Sequence, residues 1–290
     1  MKLAYYPGCS LEGTAKEYNL STKAVCKALG IELIELPDWN CCGATSAHAT
    51  NHLLSIVLPT RNLIKANELG LDLAIPCSAC FNRMKTSDYY IKRDKKIKEE
   101  VEKLLGRKYT ANSKINHLLG IFAEDKINAI IASKVVKPLQ GLKVAPYYGC
   151  LLVKPPKIVE FENAENPQSL DNLIITLGGE AVSDFAYKTE CCGASLTLTR
   201  EEIVLGLVNK ILKDAQLRGA DCLVTICPFC HFNLDAKQKD VERKFKANYN
   251  LPVFYFTQLI GLALGISPKE LGIDKHFVNP VELLKRLELA

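Results

Sequence analysis

Several patterns are missing from this sequence of 290 residues, and each absence excludes a class of protein. No uninterrupted apolar run approaches the roughly 18 residues of a membrane span, because even residues 254–266 are broken by Thr257, Gln258 and two glycines. The first ten residues carry one lysine and lack the apolar core of a secretory signal. We therefore expect a cytoplasmic protein without a membrane span.

A strong charge of one sign is also missing. The chain has 37 basic and 32 acidic residues, and its net charge of +5 at pH 7 is too small to indicate a nucleic-acid partner. It contains no glycine-rich nucleotide loop and no Ser/His/Asp arrangement, and its five histidines are scattered. The residues thus give no support to hydrolytic, nucleotide-dependent or nucleic-acid-binding functions.

What the sequence does contain is cysteine, at 12 positions. A secreted protein would use so many cysteines as disulfides, but the cytosol keeps thiols reduced. Cysteines at short, fixed spacings in a cytosolic chain indicate metal ligands or redox catalysts. The composition therefore points to metal or redox chemistry.

Ten of the cysteines follow one pattern that is written twice. Each copy has a single cysteine, then a Cys-Cys-Gly-Ala turn, then a Cys-x-x-Cys unit followed by an asparagine. In both copies 34 residues separate the cysteine pair from the Cys-x-x-Cys unit, whereas the first gap is 31 residues in one copy and 40 in the other. We call the ten residues the first set, which is Cys9, Cys41, Cys42, Cys77 and Cys80, and the second set, which is Cys150, Cys191, Cys192, Cys227 and Cys230.

The segments between these cysteines predict an α/β fold of two pseudo-symmetric repeats. In each repeat, short apolar strands alternate with helices, which favours a small, mostly parallel sheet flanked by helices. We place an N-terminal domain at residues 1–140 and a C-terminal domain at residues 141–290. The carboxyl ends of parallel strands collect ligands, and cysteines of both sets follow predicted strands, as Cys77 follows 71–75 and Cys227 follows 222–226.

Helix boundaries are predicted from end signals. Capping boxes at Thr14-x-x-Glu17 and Thr199-x-x-Glu202 are expected to open two helices, and Gly30 and Gly70 to close two. The helix after Thr199 is expected to bury one apolar stripe, which consists of Val204, Leu207, Val208, Ile211, Leu212 and Ala215. The two remaining cysteines, Cys26 and Cys222, fall on apolar elements and are interpreted as core residues.

Five cysteines per repeat limit the chemistry. A structural zinc site takes four ligands and an ordinary cubane cluster takes four thiolates, so five suit a larger or less regular iron–sulfur group. Adjacent cysteines are poor disulfide partners, since their Cα atoms lie only about 3.8 Å apart. Structural zinc and a thioredoxin-like dithiol at Cys227-Pro-Phe-Cys230 remain as alternatives, although the dithiol leaves the cysteine pairs unexplained.

The doubled five-cysteine pattern resembles the tandem CCG-domain family, and within it the B subunits of CoB–CoM heterodisulfide reductases of methanogenic archaea. The resemblance covers essentially the whole chain. It implies that each set binds one non-cubane [4Fe-4S] cluster, so that all ten cysteines would be metal ligands and would act catalytically through two facing clusters. The implied reaction is reductive cleavage of the CoM-S-S-CoB heterodisulfide in methanogenesis, which releases coenzyme M and coenzyme B.

The resemblance also implies partners. The chain lacks the ferredoxin spacing C-x2-C-x2-C-x3-C, so electrons would come from the family's flavin A subunit through its ferredoxin-like C subunit. The long 40-residue gap of the second copy is expected to place an extra loop, 151–167, beside the substrate. Because both coenzymes are anionic, cationic side chains should line the pocket, and four lie near the motifs: Arg83, Lys154, Lys188 and Arg200.

CCG domains also occur in the iron–sulfur subunits of lactate, glycolate and glycerol-3-phosphate oxidising systems. On that alternative the chain is an electron-transfer subunit without a disulfide substrate. Most such relatives carry attached ferredoxin motifs and many keep fewer of the ten cysteines, so the full set in both repeats favours disulfide chemistry. A zinc-stabilised scaffold without redox function is a third alternative.

Overall fold

The computed structural model describes residues 1–289 and contains two four-stranded sheets, in which all strands are parallel. The first sheet is built from β1 Lys2–Tyr5, β2 Glu32–Glu35, β3 Leu73–Ile75 and β4 Ile115–His117. The second sheet is built from β5 Lys143–Tyr147, β6 Glu180–Ala181, β7 Cys222–Thr225 and β8 Val253–Tyr255.

Both sheets have the same strand order. It is β2-β1-β3-β4 in the first and β6-β5-β7-β8 in the second, so the two middle strands of each sheet are the ones that lead into cysteines. The registers also correspond, since Ile75 pairs with His117 in one sheet and Thr225 with Tyr255 in the other. The predicted α/β architecture of two repeated parallel sheets is confirmed, while the domain division at residues 140/141 stays a prediction.

Helices connect the strands and cover the sheets. The first repeat has α1 Gly8–Glu12, α2 Lys16–Leu29, α3 Ala47–Thr50, α4 His52–Leu69, α5 Ser78–Arg93, α6 Lys95–Leu105, α7 Leu118–Ala123 and α8 Asp125–Lys134. The second has α9 Pro156–Val159, α10 Ser169–Thr176, α11 Glu201–Leu217, α12 Pro228–Asp235, α13 Gln238–Phe245, α14 Phe256–Ala263 and α15 Val281–Arg286. None of the helices within residues 1–289 is both long and apolar enough to cross a bilayer.

The predicted helix C-termini are correct and the predicted capping boxes are wrong. Gly30 and Gly70 adopt the left-handed conformation just after α2 and α4, as a closing glycine should. At the N-termini, however, Ala15 and Arg200 are the capping residues, and neither uses a side-chain bond. Both predicted boxes lie one residue too early, so the threonine hydroxyls do not reach the helix amides.

The apolar stripe of α11 is confirmed apart from one position. Five of the six predicted residues are buried, namely Val204, Val208, Ile211, Leu212 and Ala215. Leu205 is buried in place of Leu207, which is half-buried. The buried face of α11 is therefore rotated slightly from the predicted one, toward Leu205.

The repeats are joined through α2 and α14, and their buried residues form one continuous core. The rings of Tyr18 on α2 and Tyr255 stack with centroids 4.0 Å apart and planes 7° apart. Beside them the hydroxyls of Ser21 and Thr257 lie 2.7 Å apart and are fully buried. Because a buried polar group is costly unless it is paired, this contact fixes how the two repeats meet.

Candidate functional site

The four central strands deliver their cysteines to one region. Cys9 lies in α1 directly after β1, and Cys77 is the capping residue of α5 directly after β3. In the second repeat Cys150 follows β5, and Cys227 caps α12 directly after β7. Each Cys-x-x-Cys unit therefore begins at a helix N-terminus, where backbone amides and partial positive charge favour thiolates.

Within each set the sulfur atoms approach in pairs, and all twelve cysteines are free thiols. The Sγ atoms of Cys9 and Cys41 are 3.7 Å apart, and those of Cys42 and Cys80 are 3.3 Å apart. The corresponding buried pair of the second set, Cys192 and Cys230, is 3.5 Å apart. The two repeats thus gather their cysteines in the same way.

The two sets touch each other at Cys77 and Cys227. Both side chains are buried, and the two thiols lie close enough to shift each other's pKa, although they belong to different repeats. The contact with Cys230, the contact with Cys77 and two backbone amides of α12 hold the pKa of Cys227 well below its usual range. The pKa of Cys77 is raised, above all by its interaction with the Cys227 thiol. The junction therefore favours one thiolate and one thiol.

The first cysteine of each adjacent pair is also set up as a thiolate. Hydrogen bonding with Cys150 and the Gly193 amide, whose nitrogen is 3.3 Å from the sulfur, lower the pKa of Cys191 to about 6. At Cys41 the neighbouring thiols of Cys42 and Cys9 lower the pKa in the same way, together with the Gly43 amide. Thiolates are the form that binds iron or zinc.

Glycines leave room beside the sulfur atoms. Gly8 and Gly149, each just before the single cysteine of its set, have φ values of +71° and +68°. A Cβ atom on Gly8 would lie 3.2 Å from Cys80 Sγ, and one on Gly149 would lie 3.1 Å from Cys230 Sγ. Both the backbone conformation and the space therefore require glycine at these positions.

Two tyrosines that the sequence patterns did not single out support the Cys-Cys turns. The Tyr6 hydroxyl donates to the carbonyl of Asn40 at 2.8 Å, and the Tyr147 hydroxyl donates to the carbonyl of Glu190 at 2.6 Å. Each acceptor is the residue immediately before a Cys-Cys pair. A signal for them was present in the sequence, because each tyrosine lies three residues before the single cysteine of its set.

All five cysteines of the second set line a cavity of about 190 Å³. The first repeat closes its other side with His48 and with Ser78, Ala79 and Arg83 of α5. The cavity therefore lies between the repeats, and it brings a cation of one repeat to the thiols of the other.

Of the four cationic side chains expected at the pocket, the structure places one, Arg83, at the cavity wall. Arg83 lines the cavity, donates to Asn82 Oδ1 at 2.9 Å and forms no ion pair within residues 1–289. Burial lowers its pKa without a carboxylate to compensate it. Lys188 instead forms a buried ion pair with Asp171, in which Nζ lies 2.6 Å from Oδ1. Lys154 and Arg200 do not line the cavity.

The extra loop is attached to the first repeat. The Asn82 side chain donates to the carbonyls of Leu151 and Lys154, at 2.9 and 2.8 Å, and Leu151 also lines the cavity. Asn233, which lies three residues after its Cys-x-x-Cys unit where Asn82 lies two, instead donates to the carbonyl of Cys192 within its own repeat. The two asparagines therefore do different things: Asn82 joins the repeats, and Asn233 does not.

Three further residues lie outside the thiol clusters. Cys26 and Cys222 are buried in the core, as expected, and burial raises the pKa of Cys26 to about 12. The His231 ring nitrogen Nε2 lies 2.8 Å from the carbonyl of Val253, and the ring stacks on Tyr255. The side chains of these three residues pack in the core and do not line the cavity.

The donor set fits an iron–sulfur group, because each repeat offers five free thiols, one more than a tetrahedral zinc site takes. The thiols stand in spaced pairs, beside glycines whose missing Cβ atoms leave space against sulfur. Such an arrangement can contact a multi-iron group from several sides.

Comparison with known proteins agrees with this geometry. The sequence matches the CCG cysteine-rich domain family twice, over residues 3–85 and 144–235. The two matches together span more than half of the chain, and they coincide with the two cysteine sets. The chain belongs to the family of proteins with tandem CCG domains.

Individual relatives are similar along almost the entire chain. A protein of Wolinella succinogenes named 8-methylmenaquinol:fumarate reductase membrane anchor subunit is 33% identical over 97% of this chain and 99% of its own length. The B subunit of the ferredoxin/F420H2-dependent CoB–CoM heterodisulfide reductase of Methanosarcina acetivorans is 30% identical over 99% and 97%. The B subunit of the Methanosarcina mazei ferredoxin-dependent enzyme is equally similar.

A solved structure has the same fold. The crystal structure of a hypothetical protein from Helicobacter pylori matches with a TM-score of 0.79 over 96% of this chain and 52% of that chain. Its sequence identity is only 16%, so the likeness concerns the fold alone.

Proposed function

We propose that this chain is the iron–sulfur subunit of a heterodisulfide reductase-type enzyme and that it reduces a small-molecule disulfide. The observation that carries the proposal is the meeting of two complete five-cysteine sets at Cys77 and Cys227, beside a cavity whose wall includes all five cysteines of the second set. The similarity to two heterodisulfide reductase B subunits supports it.

Each set would hold one [4Fe-4S] group of the non-cubane type, with five cysteines as its ligands. The first group would be held by Cys9, Cys41, Cys42, Cys77 and Cys80, and the second by Cys150, Cys191, Cys192, Cys227 and Cys230. When bound, such groups supply one-electron transfer, and two of them match the two electrons that cleavage of one S–S bond requires.

The chain's own residues would bind and orient the substrate. Reduction of a disulfide consumes two electrons and two protons and releases two thiols, so negative charge develops on sulfur as the bond breaks. The Arg83 guanidinium is a cation without a carboxylate partner at the cavity wall, and it can stabilise that charge or an anionic group of the substrate. Leu151 and Phe229 supply apolar surface to the same cavity.

Electrons would come from other chains of a complex. We propose a ferredoxin-like C subunit as the direct donor and a flavin-containing A subunit as its source, with this chain catalysing the disulfide reduction in the cytoplasm. The domain division at residues 1–140 and 141–290 would then give each domain one cysteine set.

The relative from Wolinella succinogenes favours a second candidate function. That protein is named as a subunit of a quinol:fumarate reductase, and it is similar to this chain over its full length. On this candidate the two iron–sulfur groups pass electrons between other subunits, and no disulfide enters the cavity.

Turnover with an artificial donor separates the two candidates. Protein purified without oxygen is mixed with reduced methyl viologen, and the dye's oxidation is followed after addition of the CoM-S-S-CoB disulfide. We expect disulfide-dependent oxidation, with one disulfide cleaved per two electrons. Rapid oxidation of the dye by the protein alone, followed by no disulfide-dependent turnover, would move the assignment to the electron-transfer subunit.

A pair of arginine variants tests the cavity. Arg83→Gln is expected to raise KM for the anionic disulfide by about tenfold, the effect of losing one charged hydrogen bond, because it removes the cation at the cavity wall. Arg200→Gln is the matched control, since Arg200 is exposed and does not line the cavity. Equal kinetics in the two variants would show that the substrate does not reach Arg83.

A further inference from the structure

Three buried tyrosine hydroxyls in the structure bind the same type of acceptor. Each donates to the backbone carbonyl of the residue that immediately precedes a cysteine of the two sets. Tyr6 and Tyr147 do this for the Cys-Cys turns, within their own repeats. Tyr18 does it for the Cys-x-x-Cys units: its hydroxyl donates to the Pro76 carbonyl at 2.8 Å.

Tyr18 differs from the other two because it serves both repeats. Its hydroxyl oxygen also lies 3.2 Å from the carbonyl of Ile226, 208 residues further along the chain. Pro76 and Ile226 precede Cys77 and Cys227, the two cysteines at which the sets touch. A single phenol group thus stands between the two strand ends that carry the junction.

Among the residues that the structure describes, no hydroxyl of the second repeat contacts either carbonyl. The two tyrosines just before Cys150 bond elsewhere, Tyr147 to the Glu190 carbonyl and Tyr148 to Asp171. The junction is therefore asymmetric: the first repeat alone provides the donor for both carbonyls. A side chain needed only to fill the core would not require a hydroxyl at this point.

The surroundings hold the phenol ring in place. It is fully buried, stacked on Tyr255 with a centroid distance of 4.0 Å, and met edge-on by Phe256 at 6.2 Å. Offset or parallel stacking of this kind leaves the ring few orientations. The hydroxyl is therefore aimed at the two carbonyls by rigid packing.

A hydroxyl between two carbonyl oxygens changes how closely the oxygens can approach. Without a donor, two buried carbonyls that face the same point would be unsatisfied and would repel each other. Two other groups of the first repeat approach these carbonyls. The Ser78 hydroxyl lies 3.5 Å from that of Ile226, and the buried His117 ring interacts with those of both Pro76 and Ile226. Tyr18 bonds to both at 2.8 and 3.2 Å, so its hydroxyl contributes directly to the separation of the Cys77 and Cys227 backbones.

We propose that Tyr18 is a positioning residue that clamps the two cysteine sets together, and that it thereby sets the electronic interaction between the two iron–sulfur groups. The second part rests on the proposed assignment of the ten cysteines as cluster ligands. Tyr18 would not itself be a ligand of either group. It acts through its hydrogen bonds to the carbonyls of Pro76 and Ile226.

The test removes only the hydroxyl. Tyr18→Phe keeps the ring and its stacking, and Tyr5→Phe is the matched control, because the Tyr5 hydroxyl is also buried but donates to Asn19 Oδ1 within the first repeat. Both variants are expected to keep the iron content of the parent chain. When both iron–sulfur groups are paramagnetic, the parent chain is expected to show spin–spin broadening in its EPR spectrum. Tyr18→Phe is expected to lose this broadening, while Tyr5→Phe keeps it.

A second readout does not depend on iron. The amides of Phe81 and His231 bond to the carbonyls of Cys77 and Cys227 and report on the two units at the junction. Their hydrogen exchange, measured on the chain as purified, is expected to be about tenfold faster in Tyr18→Phe and unchanged in Tyr5→Phe.

The outcomes are distinct. If Tyr18→Phe has the parent's spin coupling and exchange rates, or if the parent shows no spin coupling although it carries both groups, the proposal is overturned. If the parent chain carries no iron, the cluster assignment and the electronic part of the proposal both fail, and the clamp then stands or falls on the exchange rates alone.

Discussion

At the scale of single residues, the site depends on groups that hold backbone rather than metal. Tyr6 and Tyr147 fix the carbonyls before the Cys-Cys turns, and Gly8 and Gly149 leave space beside sulfur atoms. None of these side chains is itself a candidate ligand. Their arrangement explains why a tyrosine three residues before the single cysteine, and a glycine directly before it, occur in both repeats.

Alanine at Gly149 tests whether the space beside sulfur matters. Gly149→Ala and Gly219→Ala both force alanine into a positive φ, +68° and +73°, which costs about 1–2 kcal/mol in each case. Only the first would push a Cβ atom to 3.1 Å from Cys230 Sγ, while nothing lies within 4 Å of the second. Iron analysis is expected to show about half the parent's iron in Gly149→Ala and the full amount in Gly219→Ala.

The two glycine variants are equally strained, so their difference isolates the contact with sulfur. If Gly149→Ala retained all of its iron, the positive φ alone would explain the glycine. If both variants lost iron equally, backbone strain rather than the contact would be responsible.

The ten cysteines and their grouping into two sets could be expected from the sequence, because spacing is a property of the chain itself. The tyrosine hydroxyls could not, since a tyrosine near a motif gives no sign of which carbonyl its hydroxyl will reach. The selection of Arg83 among four cations also needed the fold, because only packing shows that Lys188 is neutralised by Asp171.

At the scale of helices and strands, the strand ends decide where chemistry can occur. The two central strands of each sheet lead directly into cysteines, and the following helices start at the Cys-x-x-Cys units. The alternation of strand and helix was readable from the sequence. The helix starts were not, because capping depends on one residue of register, and both predicted capping boxes lie one residue too early.

Helix α12 also anchors the C-terminal segment, through Asp235 at its end. The buried carboxylate accepts hydrogen bonds from the amides of Phe277 and Val278, at 2.8 and 3.0 Å. Burial nevertheless outweighs these bonds and raises the pKa of Asp235 to about 6. Between about pH 4 and 6 the native chain therefore holds a proton that the unfolded chain has lost.

This linkage predicts how stability changes with pH. Protonation of Asp235 adds about 3 kcal/mol to the free energy of unfolding below about pH 4. This contribution is lost as the pH rises from about 4 through about 6. Roughly 1 kcal/mol of that fall should occur between about pH 5 and 7.5. Anaerobic denaturant unfolding of Asp235→Asn should lack this component, while the parent chain shows it. Parallel pH profiles of the two proteins would contradict the assignment.

At the scale of the whole molecule, the duplication produces one junction rather than two separate sites. The cysteine sets meet at Cys77 and Cys227, the cavity lies between the repeats, and Tyr18 of the first repeat bonds to strand ends of both. The sequence showed the repeat but not the meeting point. Contacts between residues as far apart as Tyr18 and Ile226 depend on how α2 packs against α14, which no local pattern encodes.

The departures from exact symmetry lie at this junction. Asn82 of the first repeat holds the extra loop of the second, and Tyr18 of the first repeat bonds to the carbonyls before Cys77 and Cys227 of both. A pair of equivalent, independent metal sites would not need such differences. One shared site, with its cavity on the side of the second set, accounts for them.

The most direct test of this account is the iron and acid-labile sulfide content of the chain purified without oxygen. Two groups held by five cysteines each predict about eight irons and a similar amount of sulfide per chain, with no stoichiometric zinc. Iron near zero together with stoichiometric zinc would contradict the central claim, and the ten cysteines would then belong to structural metal sites.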